Sequence, residues 1–283
     1  MDEIKKCYTE EVKGYFKIKA PEYDLVEQQL YWVLSDKLLW TILTDNVLSK
    51  INAPIRFIDA GAGTARWSIK ILDQYEDSTG WLIDLSSDMI EQAMRKLDQK
   101  HYISRTKITI DNLDSMKMDN NEIYNLVFSF HNVLGFVNDP ARVIKKLSQN
   151  LARDGFFVCV VPNFFHNIFF NIYTRNLELA EYCLKNHKGK FTENMPEMHM
   201  FTPKNLREMY TDAGLRINGI YGFPVAIYPG MQETQIRGQS KELQELLADR
   251  LTFDKIFNIE SQLYQEQESA TRGNNLIIIG QKN

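Results

Sequence analysis

The stretch FIDAGAGTARW, Phe57 to Trp67, followed one helix later by WLIDLSSDM with Asp84, restricts this chain to few folds. An apolar strand that ends in an acid and runs into Gly61 and Gly63 turns sharply into a helix. Glycine takes positive φ without penalty, and its missing Cβ lets a ligand approach the backbone. A helix starting near Thr64 then points free N–H groups at that ligand. An acid at the tip of the next strand is placed to accept hydrogen bonds from two neighbouring ribose hydroxyls. Together the two segments describe a nucleoside pocket.

The rest of the chain alternates strands and helices, the pattern of a doubly wound α/β sheet. Asp88 and Glu91 make a capping-box-like start to a helix whose face is Ile90, Ala93, Met94 and Leu97. Asp139 and Pro140 open another, since aspartate accepts from free N–H groups and proline is tolerated in the first turn. Its apolar face is Val143, Ile144, Leu147 and Leu151. The Asp154-Gly155 turn leads into Phe156 to Val161, an apolar run suited to a strand buried on both faces, which Pro162 ends. Thr202 and Pro203 start a late helix that Gly214 closes.

The glycine register separates the nucleotide-binding folds. A dinucleotide loop wants glycine at the sixth position of G-x-G-x-x-G. Here Arg66 stands there, Ala65 precedes it, and Asp59 lies two residues before the first glycine. This pattern resembles motif I of class I S-adenosylmethionine-dependent methyltransferases. The resemblance covers most of the chain. YFKIKAPEYD, Tyr15 to Asp24, is similar to the opening segment that folds over the cofactor in small-molecule members. IDLSSDMIEQA resembles their second strand and its helix, IYNLVFSFHNVLGFV the fourth strand and the loop facing the methyl donor, and NLARDGFFVCVVPN the fifth strand. FTPKNLREMYTDAGLRINGIYGF and NLIIIGQK resemble the late helix and the closing antiparallel hairpin.

What the resemblance implies is an enzyme with S-adenosyl-L-methionine as cofactor. Its sheet would be doubly wound, seven-stranded and mostly parallel, with helical lid insertions. The whole of 1–283 would form a single methyltransferase domain: 1–50 a helical lid, 51–163 the cofactor-binding core, 164–200 a lid or substrate insert, and 201–283 the late helix, a helical insert and the hairpin. Asp59 and Ala60 would lie near the methionine amino group, with Gly61 and Gly63 shaping the turn. Asp84 would hold the ribose, Leu85 and Met89 would pack near adenine, and Tyr23 and Phe130 would complete the cofactor pocket. The family commonly has an aspartate after the third strand to read adenine. Here the register points to Asn112 or Leu113, and an Asn oxygen can accept the same bond.

Methyl transfer from a sulfonium is mainly a matter of positioning, and a base is needed only where the acceptor must lose a proton. His131, His166 and His199 are the candidates, each on a loop near the pocket mouth, and each equally able to be structural. Tyr15 and Phe165 join Tyr23 and Phe130 as aromatic residues that can face a sulfonium or a cationic amine, or simply fill the core. For Asp59 and Asp84 the plain reading is a helix cap.

A net charge of −4 argues against a phosphate backbone as partner, and SFHN stands where an Asn/Asp-Pro-Pro-Tyr-like segment marks many nucleic-acid methylating members. Cys7, Cys159 and Cys183 have no metal spacing and read as reduced thiols of a cytoplasmic protein. No apolar run spans a bilayer, and DEIKKCYTEE lacks a signal-peptide core. No metal site is expected. The expected partner is a small, apolar or aromatic methyl acceptor taking the group at N or O, with C possible; oligomeric state is left open. A peptide or protein N-terminus as acceptor, and an NAD-binding or non-catalytic protein, are the alternatives.

Overall fold

The computed structural model describes residues 2–119 and 121–283. The chain begins with α1 (Asp2–Lys19), a 3-10 stretch at Ala20–Gln28 and α2 (Leu30–Asn46). An alternating half follows: β1 (Arg56–Ala60), α3 (Arg66–Gln74), β2 (Thr79–Asp84), α4 (Ser87–Gln99), β3 (Thr106–Ile110), β4 (Tyr124–Ser129), α5 (Pro140–Gln149) and β5 (Leu151–Pro162). Next come α6 (Phe164–Tyr173), α7 (Leu177–Asn186) and the short antiparallel pair β6 (Lys188–Gly189) and β7 (Met198–His199). The chain closes with α8 (Pro203–Asp212), β8 (Leu215–Phe223), α9 (Lys241–Ala248), α10 (Arg250–Leu263) and β9 (Asn275–Lys282).

The main sheet has seven strands in the order β3-β2-β1-β4-β5-β9-β8. β1 to β5 are parallel, and β9 runs antiparallel between β5 and β8. This is the doubly wound, mostly parallel sheet expected from the sequence. Strand order reverses between β1 and β4, and in such sheets a crevice opens there at the carboxyl ends of the strands.

Alternation along the strands divides the core in two. Phe57, Phe128, Val158 and Ile277 face α2 and α3, whereas Ile58, Val127, Phe157 and Ile278 face α5 and α8. All eight are fully buried, and each such side chain contributes ~1.5–3 kcal/mol by leaving water.

Local chemistry sets the element ends. Asp139 accepts from the Arg142 N–H at 3.0 Å and caps α5 behind Pro140. Thr202 and Asn205 form a reciprocal capping box on α8, and Gly214 follows that helix at φ +76°. The expected Asp88/Glu91 box does not form: Ser86 Oγ takes the Met89 N–H at 3.3 Å, so the cap lies two residues earlier and Glu91 pairs with Arg95 instead. α3 begins at Arg66 rather than near Thr64, because Ala65 sits in the left-handed region at φ 62° and extends the glycine turn. Asp154, at φ 61°, carries the turn before Phe156, but pairing with β4 resumes on both sides of it, so one irregular strand runs from Leu151.

The N-terminal helices and the α6–β7 segment come together over the carboxyl edge of the sheet. The Tyr8 hydroxyl donates to the Glu197 carbonyl at 2.5 Å, and Asn112 Nδ2 donates to Thr9 Oγ1 at 3.3 Å. Among the described residues no helix is long and apolar enough to cross a membrane.

Candidate active site

The turn after β1 is fixed from three sides. The N–H groups of Gly61 and Ala62 both donate to the Ile83 carbonyl, at 2.8 and 3.0 Å, and Ser129 Oγ donates to the Ala60 carbonyl at 2.7 Å. Gly61 stands at φ +88°, and a Cβ there would collide with the Val133 isopropyl group. Gly63, at φ +53°, has open space where a Cβ would go. Asp84 ties the two strand ends together: Oδ2 accepts from the Gly63 N–H and Oδ1 from the Ser86 N–H, both at 2.8 Å. Since Ser86 caps α4, the carboxylate of Asp84 is not needed as the helix cap.

These groups border a cavity with about 950 Å³ of atom-free space, open solvent included. Tyr23, Asp59, Gly61, Gly63, Asp84 and Leu85 line it, and Met89, Asn112, Leu113, Phe130 and His131 complete the expected set there. Ala60 is fully buried beneath the turn and contributes its carbonyl to Ser129. The Asn112 side-chain oxygen is turned toward the Asp114 N–H at 2.8 Å, while the neighbouring Asp111 carboxylate also borders the cavity.

The cavity is acidic. Asp59, Asp84, Asp111 and Asp114 line it, while the one guanidinium on its wall, Arg66, is bonded by Asp36 and by Glu27 at 2.7 Å. Asp59 is buried and accepts from Ser68 Oγ at 2.6 Å. Burial raises its pKa to about 7, against the Ser68 hydrogen bond and with help from the Asp84 charge. Burial likewise raises Asp84, opposed by N–H donors including Ser86 and Gly63. Such a wall attracts an ammonium and a sulfonium and repels a pyrophosphate. The donor set therefore fits S-adenosylmethionine.

A second cavity, with about 1100 Å³ of atom-free space, adjoins the first. Phe16, Tyr23, Arg66, His131 and Phe136 line both. Beyond this common wall lie α1, α6 and the segments around Met195, Thr234 and Asn274. Of the three histidine candidates, His131 is on the common wall and His166 lines the second cavity. His199 sits on β7, paired with Lys188 across the hairpin, and lines neither. Tyr15 lines the second cavity, whereas Phe165 is 43% exposed and lines neither.

His131 is held in an unusual way. Its Nε2 accepts from Trp67 Nε1 at 2.7 Å, with Asp36 Oδ1 3.7 Å away. Burial lowers its pKa to about 4, opposed by Asp36 and aided by Arg66. Burial also lowers His166 to about 4. Both imidazoles are neutral at physiological pH. Trp67 and Asp36 were not among the expected site residues. Each carries only a weak local signal, a buried indole N–H that needs an acceptor and a lone acid in the first two turns of an apolar helix, and neither signal names His131 as the partner.

Fold and site together define a class I S-adenosylmethionine-dependent methyltransferase. Residues 37–218 match the family described as "Methyltransferase domain", and the chain belongs to that family. Comparison with curated protein sequences gives no match. Among solved structures, a geranyl diphosphate C-methyltransferase from Streptomyces coelicolor is similar at 12% identity, with 98% of each chain covered and a TM-score of 0.61. A putative methyltransferase in complex with the Trm112 activator from Haloferax volcanii shares 16% identity over 95% of this chain and 96% of that one, TM-score 0.59. An S-adenosylmethionine-dependent methyltransferase from Mesorhizobium loti shares 14% over 87% and 98%, TM-score 0.58. At these identities the likeness concerns the fold alone.

Proposed function

We propose that this enzyme methylates a small, apolar or aromatic metabolite at N or O, with C as the alternative, the cofactor lying in the first cavity and the acceptor in the second. The common wall formed by Phe16, Tyr23, Arg66, His131 and Phe136 is the observation that carries this reading. Across that wall a methyl donor lodged against Asp59 and Asp84 faces an acceptor held in the second cavity. In the proposed roles, Asp84 accepts from the ribose hydroxyls, Asp59 from the methionine amino group, and Asp111, beside Asn112 and Leu113, from the adenine amino group.

When bound, the cofactor supplies an activated methyl group on sulfur. The chain's own part is to bind, orient and exclude water, and alignment of this kind can contribute ~7–11 kcal/mol to acceleration. His131 acts here as a positioning residue, since its Nε2 is already engaged by Trp67. With both cavity histidines near pKa 4, a matched general base is missing from these two positions. That favours an acceptor whose nucleophile is active without a strong base, such as an amine, or one acidic enough to lose its proton to solvent. The geranyl diphosphate enzyme named above also acts on a small molecule, but as a C-methyltransferase, so it supports the size of the acceptor and not the methylated atom.

The test is incubation of the purified protein with S-adenosylmethionine and pools of aromatic and aliphatic metabolites, read by mass spectrometry. Gain of one methyl by a small molecule, lost with Asp84→Ala, is the expected result. Methylation of peptides in a parallel incubation, with no small molecule gaining a methyl, would overturn the small-molecule reading.

A further inference from the structure

The second cavity carries a charge that nothing in its own wall balances. Lys19 ends α1 and lines this cavity alone, its Nζ lying 4.3 Å from the centroid of the Tyr15 ring. Among the described residues no carboxylate is paired with it. The acids bordering the same space are committed elsewhere: Asp36 to Arg66, and Glu233 to the Gly230 N–H, the Ser240 N–H and Ser240 Oγ. Burial lowers the Lys19 ammonium to about 8, so it remains mostly charged at neutral pH. A half-buried cation whose only facing group is an aromatic ring is incompletely compensated, and a matching anion relieves the cost.

Two further polar groups in this cavity lack partners. His166 is 4% exposed, and its Nε2 has no hydrogen bond; nor has Asn132 Oδ1. Asn132 follows His131 directly and lies at φ 69° on the second-cavity side of the common wall. Its Oδ1 is buried and left without a donor, a state that a hydroxyl or amine reaching it would relieve. Between these polar points the wall is aromatic, with Phe16, Phe136 and Phe170. Phe16 and Phe136 meet edge to face at 5.4 Å.

We propose that the second cavity binds a hydroxyl- or amino-substituted aromatic acid, with its carboxylate paired to Lys19 and its hydroxyl or amine donating to Asn132 Oδ1. The inference rests on the acceptor reading of this cavity. Because Lys19 is not part of the common wall, the carboxylate is the handle, and the amine, or the hydroxyl once it has lost its proton to solvent, is presented to the methyl donor. Its lone pair forms the bond to the methyl carbon as the carbon–sulfur bond breaks, S-adenosylhomocysteine leaves, and a methylated ammonium releases its proton to water. The unpartnered His166 Nε2 gives a second polar contact within the cavity.

Calorimetric titration with matched acid and amide pairs tests this, using hydroxybenzoates, aminobenzoates and hydroxyphenylacetates against their primary amides, with S-adenosylhomocysteine present throughout. At least one acid should bind about tenfold or more tightly than its amide. Lys19→Met should erase that preference, Lys19→Arg should keep it, and both variants should bind S-adenosylhomocysteine as the wild type does. Equal binding of acid and amide, absence of measurable binding by every acid at millimolar concentration, or a preference that survives Lys19→Met would overturn the proposal. Failure of the wild type to bind S-adenosylhomocysteine would instead strike the methyltransferase reading itself, whatever the acids do.

Discussion

At the scale of single residues, the site is governed by two carboxylates in one acidic cavity. With its pKa raised to about 7 by burial and by the neighbouring Asp84, Asp59 is partly protonated in the free protein at neutral pH. A cationic cofactor binds the ionised form better, so binding releases the proton. Affinity for S-adenosylhomocysteine, whose ammonium meets the same carboxylate, should rise as pH goes from 6 to 8, by up to about tenfold. The dependence should vanish in Asp59→Asn, and calorimetry across that range checks both. Asp84 joins the Gly63 and Ser86 N–H groups and is proposed to take the ribose. Asp84→Ala should weaken cofactor binding by ~1–3 kcal/mol in a folded protein; an unchanged affinity would reject that role. Both residues were legible in the sequence because each ends an apolar strand. Trp67 and Asp36 were not, since their partnership with His131 joins three segments remote in sequence.

Among elements, the turn between β1 and α3 decides whether the site forms. Gly61 and Gly63 both have positive φ, but only Gly61 is crowded, by Val133. Gly61→Ala should therefore cost strain plus a steric clash, in total ~2–4 kcal/mol of stability. Gly63→Ala should cost closer to ~1 kcal/mol and act mainly by placing a methyl group at the cofactor cavity. Thermal melts and titration of both variants separate the two effects. A larger loss of stability in the Gly63 variant would contradict this assignment. The sequence indicated this turn and the caps at Asp139 and Thr202, where local hydrogen bonds are decisive. It misplaced the start of α4, because Ser86, Asp88 and Glu91 all suit a helix start and only the strand-end geometry at Asp84 selects Ser86. It did not bring His199 to its observed place, since a two-residue hairpin leaves almost no periodic signal.

For the whole molecule, the question is how the N-terminal helices are held over the sheet. Arg66, in the first turn of α3, reaches Glu27 in the 3-10 stretch and Asp36 in α2. Asp24 accepts from Thr64 Oγ1 at 2.5 Å and from Lys96 Nζ at 2.7 Å. The guanidinium is largely buried between its partners, so removing it leaves Asp36 without its main counter-charge, a change that typically costs ~3–5 kcal/mol locally. Arg66→Met should raise hydrogen exchange in residues 20–36 while leaving the strands protected. Uniform loss of protection would show instead that the lid and the sheet unfold as one. A doubly wound sheet with its crevice at the carboxyl edge was readable from the alternation of strands and helices, whereas the strand order β3-β2-β1-β4-β5-β9-β8 emerged only in the folded chain. The second cavity was not, because its walls come from α1, α6 and the segments near Thr234 and Asn274, which only the folded chain brings together.

The most direct test of the account is a crystal structure with S-adenosylhomocysteine bound. The account predicts the ribose on Asp84, the amino group near Asp59, and the sulfur directed at the wall of Tyr23, His131 and Phe136, facing the second cavity. A ligand seated in the second cavity, or a sulfur pointing away from that wall, would contradict it.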